Sequence, residues 1–410
     1  MQAEIRRKDR MKNTLFRRGH NFTQSAPIPI KLIEKCFSND ENEAQYALND
    51  LYNLVLSSDF EYFEQFCKIF PYTDFFKRII SLEPCRVRQT ALLVFAACSD
   101  SDSFPYQEYL NVDILSFLFD LLDRVERDEV TASLHILSRI VMEDPSVSNY
   151  LVDQGIHDQM MLLEADENFA IMLAALSITS PQTFKSTIQL IPYCFMTKDG
   201  NTIKYALEAL LSGIKIVSDF AQPILSVIVN YQSILFDFEQ NEITITLFKI
   251  LKRIPDLPMT FFTPILYKLM NCDTVKILVL ANTILQNQQQ NWKGVVDEML
   301  CVVLQGQMMG QPYNVQKSCF QTILSYYLWD NGVNLKLTAE VVRFLDDNDV
   351  GPKCLFLLCH LLEVYPEESE IREVIESAIP VIENYAASEN EDNSNIAQRL
   401  LSMIGNGPLS

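Results

Sequence analysis

A short apolar motif recurs along the chain, and a repeat of this kind constrains the fold more than any other feature of the sequence. In most copies a small or β-branched residue precedes a leucine inside an apolar run, as in QYALNDLYNL, QTALLVFAAC and KYALEALLSG. Successive copies lie 31 to 44 residues apart in the 410-residue chain. The central residue of each copy is here named its anchor, and the anchors are Leu48, Leu92, Leu134, Leu173, Leu207, Leu247, Leu278, Phe320 and Leu355.

A second apolar pattern lies between the anchors, as in DILSFLFDLL and EVIESAIPVI. Its apolar residues fall at i, i+3, i+4 and i+7, which is the period of a helix, and no segment sustains the alternation typical of strands. Each repeat is therefore predicted to be a helical hairpin. Because one hairpin cannot bury its apolar faces alone, successive hairpins must stack. The sequence predicts an all-α solenoid superhelix of nine to ten repeats.

The stretch SNYLVDQGIHDQMMLLEADE, followed by NFAIMLAALSIT, resembles an armadillo repeat. The resemblance lies in a first helix, a glycine at a sharp turn (Gly155), and two further apolar helices. It extends over about residues 28–405 and implies an armadillo-type α-solenoid. HEAT repeats remain the alternative, because they follow the same packing logic with two helices.

The sequence favours no enzyme class. No nucleophile elbow, zinc-protease motif, P-loop or dinucleotide fingerprint occurs, and only 11 glycines are present, so phosphate loops are not expected. Cys354 and Cys359, next to His360, are spaced too widely for a typical zinc pair, so we expect core thiols there and neither metal nor cofactor. The absence of a long apolar run predicts no membrane span. We expect no catalytic activity.

Charge is distributed unevenly along the chain. Residues 1–22 carry seven basic side chains against Glu4 and Asp9, a net charge of +5, while the remainder carries 26 basic and 51 acidic side chains, a net charge of −25. A body this acidic disfavours nucleic acid and anionic membranes and favours basic protein segments. The domain prediction is therefore a basic arm, 1–22, and a single solenoid, 23–410, with an acidic C-terminal region.

The basic arm resembles part of the importin-α family. IRRKDRMK and LFRRGHN are similar to the family's importin-β-binding arm, although the arm is about half the family length. The family also has about ten armadillo repeats and an acidic C-terminal region. The resemblance implies carrier binding through seven residues: Arg6, Arg7, Lys8, Arg10, Lys12, Arg17 and Arg18. Other interpretations of the arm are a solvated tail, a nuclear-localisation or nucleic-acid patch, a mitochondrial presequence, or a segment that binds the protein's own concave face.

Importin-α proteins bind basic cargo with tryptophan two residues before the anchor and asparagine two after it. No such pair occurs in this chain, and Trp292 and Trp329 lie elsewhere. Aromatic or acidic character at these positions remains only at Tyr46, Asp50 and Tyr205, which are the candidates for a concave groove. Lys276 and Lys353 would repel a basic strand.

Two functions follow as expectations. The first is a monomeric, non-catalytic nuclear-import adaptor of the importin-α type, present in cytoplasm and nucleus, with an importin-β-type carrier and basic protein segments as partners. The alternative is a general cytoplasmic armadillo scaffold that binds no nuclear-localisation signal, because solenoid surfaces serve many partners.

Overall fold

The structure is a computed structural model that describes residues 30–216, 218–292, 303–304, 306–308, 310–330, 338–366 and 369–405. The chain divides into two compact units, Met1–Ile250 and Leu251–Ser410, and each is described by itself. No strand occurs in the part of the chain that the structure describes. The predicted single solenoid over 23–410 remains a prediction.

The helices of the first unit, with its last helix ending one residue beyond it, are α1 (Ile30–Lys35), α2 (Glu41–Ser57), α3 (Phe60–Ile69), α4 (Tyr72–Ser81), α5 (Arg86–Cys98), α6 (Val112–Asp120), α7 (Arg127–Glu143), α8 (Ser146–Asp153), α9 (Ile156–Met161), α10 (Glu167–Leu176), α11 (Pro181–Thr187), α12 (Ile191–Met196), α13 (Gly200–Ile216), α14 (Ala221–Asn230), α15 (Gln232–Asp237) and α16 (Asn241–Leu251). Those of the second unit are α17 (Phe262–Asn271), α18 (Val275–Asn287), α19 (Gln289–Trp292), α20 (Tyr313–Asp330), α21 (Thr338–Arg343), α22 (Gly351–Val364), α23 (Ser369–Glu376), α24 (Ile379–Ala386) and α25 (Glu391–Gly405). Short 3-10 helices connect some of them. No described helix is long and apolar enough to cross a membrane.

Local chemistry sets several helix ends. Asp40 caps α2 by accepting hydrogen bonds from the backbone N–H groups of Asn42 and Glu43, and Asp166 caps α10 by accepting one from Phe169. Gly155 lies between α8 and α9 with φ +83°, a left-handed conformation that costs glycine little. The sharp turn predicted at this glycine is therefore confirmed.

One predicted helical run is interrupted. The sequence KSTIQLIPYCF indicates a single apolar helix, but α11 ends at Thr187 and α12 begins at Ile191. Pro192 explains the break, because proline has no N–H to continue a helix and fits well in the first turn of a new one.

All nine anchors are buried, with at most 2% of their surface exposed. They lie on successive helices: α2, α5, α7, α10, α13 and α16, and then α18, α20 and α22. Burying one leucine side chain contributes about 1.5–3 kcal/mol, so the anchors are a large part of the core.

The anchor helices pack against one another in order. In the first unit α5 contacts α2 and α7, and α10 contacts α7 and α13; in the second unit α18 contacts α20, and α22 contacts α25. The sequence NSNIAQRLLSMIG, a weaker tenth copy of the motif, lies in α25. Each unit is an α-solenoid of the armadillo and HEAT type, and the predicted fold class is confirmed.

Candidate binding surface

Stacking leaves little of each anchor helix accessible. An internal anchor helix such as α5 is covered by one anchor helix on each side. The positions two residues before and two after the anchor point away from it, since residues two apart differ by about 200° around a helix. Both positions are buried on α5, α7, α10, α13 and α20. On these five helices both positions are therefore inside the stack.

Tyr205 shows this directly and is a correction to the predicted groove. It occupies the position two residues before the anchor on α13 and is only 2% exposed. The ammonium of Lys204 lies 5.9 Å from the centre of its ring. Tyr205 is a core residue, because the neighbouring anchor helix α10 packs against α13.

Tyr46 and Asp50 are exposed, Tyr46 by 73%. They occupy the same two positions on α2, the first anchor helix that the structure describes. Since α2 contacts a following anchor helix, α5, and no preceding one among the described residues, its outer side is open. These two candidates are accessible for a partner, and their role in binding remains a prediction.

The accessible positions lie one residue before those just described, which places them three residues before and one residue after the anchor. Both positions are at least partly exposed on α2, α5, α13, α18, α20 and α22. This set of positions is here named the open row. In the first unit its exposed members are Gln45, Asn49, Gln89, Leu93, Thr131, Lys204 and Glu208.

In the first unit the exposed members of the open row are polar except for Leu93, and none of them is a tryptophan. Gln45 donates to Asn49 Oδ1 at 3.1 Å and to Thr90 Oγ1 at 2.8 Å, so it joins α2 to α5. Lys204 forms an ion pair with Glu242 and so joins α13 to α16. A surface of amides and charged groups suits hydrogen bonding to an extended peptide better than burial of a large apolar ligand.

A buried ion pair lies beneath the open row. Arg88 Nε and Nη2 each donate to a different carboxylate oxygen of Glu129 at 2.8 Å, in the bidentate arrangement that arginine favours. The two side chains are 5% and 1% exposed. The sequence analysis missed this pair, although each residue is a charge within an apolar anchor helix, RVRQTALL and DEVTASL.

In the second unit the open row includes an exposed aromatic side chain, whereas the tryptophan side chain of this unit that the structure describes is buried. Phe356 occupies the open row on α22 and is 55% exposed, while Trp292 is buried and donates from its indole to the Leu257 carbonyl at 3.1 Å. Trp292 is thus a core residue. On α20 the ammonium of Lys317 lies 2.8 Å from Asp347 Oδ1.

Metal-binding side chains do not come together in the described residues. No group of three or more His, Cys, Asp and Glu side chains there could hold a metal ion. Seven of the nine described cysteines are buried. Burial raises the pKa of Cys354 to about 12, so this thiol stays protonated.

The seven arm residues, Arg6, Arg7, Lys8, Arg10, Lys12, Arg17 and Arg18, lie outside the described residues.

Comparisons with known proteins give distant structural similarity only. No family model matches the chain, and no curated protein matches it. A designed armadillo repeat protein in complex with the peptide (KR)4 is 14% identical, with a TM-score of 0.43, and covers 52% of this chain and 99% of its own. A structure described as showing a phosphorylation switch that controls the interaction between cadherin and β-catenin is 12% identical, with a TM-score of 0.46, and covers 93% of this chain and 99% of its own. These similarities are weak.

Proposed function

We propose that the chain is a protein-binding adaptor whose open row holds an extended, basic segment of a partner. The observation that supports this most directly is the polar open row of the first unit, exposed between anchors that are all buried. Residues 23–410 carry a net charge of −25, which attracts lysine- and arginine-rich segments and repels acidic ones.

The finer proposal is an adaptor of the importin-α type that shuttles between cytoplasm and nucleus. Its support is the sequence of the arm, whose seven basic residues lie within a segment of net charge +5. Arginine offers a planar fork to carboxylates, so such an arm suits an acidic carrier of the importin-β type. The proposal requires a changed cargo preference, because the open row holds no tryptophan.

The alternative proposal is a scaffold without a carrier. The absence of Trp–Asn pairs and the lysines at positions 276 and 353 favour it, since both features weaken binding of a classical basic signal. Under this proposal the open row still binds a protein segment, and residues 1–22 do not contribute.

Carrier binding distinguishes the two proposals. Purified importin-β is titrated with the full-length chain and with a variant in which the seven arm residues are changed to glutamine, at about 0.05 M and about 0.5 M salt. The matched control changes Lys252, Arg253 and Lys268 of the second unit to glutamine. The adaptor proposal expects tight binding by wild type and control, weakened by salt and lost in the arm variant. Equal binding by all three proteins, or no binding by any, would overturn it in favour of the scaffold.

A further inference from the structure

The side chain of His135 lies between two oxygen atoms from two other repeats. It is on α7 and is only 5% exposed. Its Nε2 is 3.0 Å from Oδ1 of Asp100, in the loop after α5, and its Nδ1 is 3.1 Å from Oδ1 of Asn168 on α10. One imidazole thus links three successive repeats of the first unit.

This geometry specifies a proton count. A carboxylate and an amide oxygen can only accept hydrogen bonds, so both ring nitrogens of His135 must donate, and only the imidazolium has two donors. When the ring loses a proton, Nε2–H can still donate to Asp100. Nδ1 then faces an oxygen, unless the Asn168 amide turns over and presents its NH2 group. Loss of the proton therefore breaks or rearranges the contact between α7 and α10.

A second titrating group adjoins this contact. Glu167 precedes Asn168, is 8% exposed, and accepts a hydrogen bond from Asn201 Nδ2 on α13 at 3.2 Å. Burial raises the pKa of Glu167 to about 7; Asp199 and Asp166 act in the same direction, and the Asn201 hydrogen bond and His135 oppose it. The carboxyl group is therefore neutral below about pH 7 and becomes a buried anion above it.

The remaining charged groups nearby do not replace the lost proton. Arg139, one turn after His135 on α7, donates from Nε to the Ser99 carbonyl at 2.9 Å and pairs with Glu143. Its guanidinium is therefore occupied by its own partners. Asp100 faces His135 from the loop after α5, and Asp199 and the neighbouring Asp166 act on Glu167; all three are acidic.

We propose that Asp100, His135, Glu167, Asn168 and Asn201 form a pH-sensitive junction that holds the repeats of the first unit together in acid and loosens as the pH rises to neutral and above. The two titrations act in the same direction. The pKa of Glu167 is higher in the folded chain than its ordinary 4.5, so its contribution to stability is complete below about pH 4.5 and is lost as the pH rises to about 7. Loss of the His135 proton removes a charge-assisted hydrogen bond.

The first test is unfolding of the full-length chain between about pH 5.5 and pH 8.5 at constant ionic strength, followed by circular dichroism. We expect the urea concentration at the midpoint of wild-type unfolding to fall as the pH rises. A variant carrying both His135→Gln and Glu167→Gln should lose at least half of that pH dependence. His360→Gln, in the second unit, is the control and should retain the wild-type dependence. A wild-type midpoint that does not fall, or a double variant with the wild-type slope, would overturn the proposal.

A direct measurement covers the case in which the double variant does not fold. The chain has four histidines, which are labelled with nitrogen-15 in the wild-type protein. The His135 resonances are those that disappear in His135→Gln. If that variant does not fold, they are assigned by selective labelling of adjacent residue pairs. Both ring nitrogens of His135 should have imidazolium shifts at about pH 5.5 and a neutral pattern at about pH 8.5. A neutral ring at the lower pH would contradict the inferred proton count, and a ring that keeps both protons at the higher pH would contradict the pH sensitivity of the junction.

Discussion

Two pairs of neighbouring anchor helices, one pair in each unit, are joined by different chemistry. In the first unit the ionic junction, Arg88 with Glu129, connects α5 to α7 through two hydrogen bonds of 2.8 Å. In the second unit the amide junction connects α18 to α20 without a charge: Thr322 Oγ1 lies 2.8 Å from Asn282 Oδ1 and accepts from Gln286 Nε2 at 3.0 Å. Asn282 and Thr322 are fully buried. The same packing requirement is thus met with ions at one place and with neutral groups at another.

The difference has a physical consequence. Two charges removed from water must remain paired, because either one alone in the interior is very unfavourable, whereas an unpaired amide or hydroxyl costs less. The ionic junction should therefore be more sensitive to loss of one partner. The amide junction should respond neither to pH nor to salt.

The largest expected effect is at the ionic junction. Arg88→Met leaves the Glu129 carboxylate buried without its partner, so the free energy of unfolding should fall by about 3–5 kcal/mol. Urea unfolding followed by circular dichroism measures this. Adding Glu129→Leu to the same protein should restore most of the loss. A double variant as unstable as Arg88→Met would show that packing of the arginine stem, and not the ion pair, is what α5 and α7 need.

A smaller loss is expected at the amide junction. Thr322→Val keeps the shape of the side chain and removes the hydroxyl that Asn282 and Gln286 contact, so the free energy of unfolding should fall by about 1–3 kcal/mol. The loss should be the same at about pH 5.5 and pH 8.5, since no group in this junction titrates there. A loss larger than that of Arg88→Met would reverse the proposed order of the two junctions.

The sequence predicted the repeat better than the contacts between repeats. Burial of the anchors follows from a helical period within one segment, and the turn at Gly155 follows from one residue. Arg88 and Glu129 are 41 residues apart. The apolar period of one helical segment does not indicate how that helix aligns with another helix. The same limitation explains Tyr205: its side of α13 is covered by a helix from another repeat, which an isolated helical pattern cannot show.

A still smaller effect is expected where the second unit uses charge near its surface. Lys317, 20% exposed, has its ammonium 2.8 Å from Asp347 Oδ1 and 2.6 Å from Asp349 Oδ2. Lys317→Met should lower the free energy of unfolding by about 1 kcal/mol, because a pair that water reaches gains little. The loss should shrink at about 0.5 M salt, and the loss from Thr322→Val should not. A loss that salt does not change would mean that Lys317 acts as a buried group.

The pH dependence of this contact has a defined sign. Burial acts to raise the pKa of Asp347, but hydrogen bonds from Lys317, Tyr313 and two backbone N–H groups outweigh it and hold the pKa well below its ordinary 3.8. A carboxyl group with a lowered pKa contributes stability above its ordinary value and loses it as the pH falls further. In unfolding measured below about pH 3.8, the difference between wild type and Lys317→Met should therefore decrease.

The smallest effect on stability is expected on the exposed side of α2, where no junction forms among the described residues. Tyr46 and Asp50 are exposed, so replacing both with alanine should change the free energy of unfolding by no more than about 0.5 kcal/mol. If a basic peptide extends from the open row onto the outer side of α2, the same variant should bind it several-fold more weakly, as measured by fluorescence anisotropy. Tyr267→Ala in the second unit, which removes a tyrosine that is 62% exposed from α17, is the control and should bind as wild type does. Unchanged binding in the α2 variant would exclude these two residues from the peptide site and confine it to the open row.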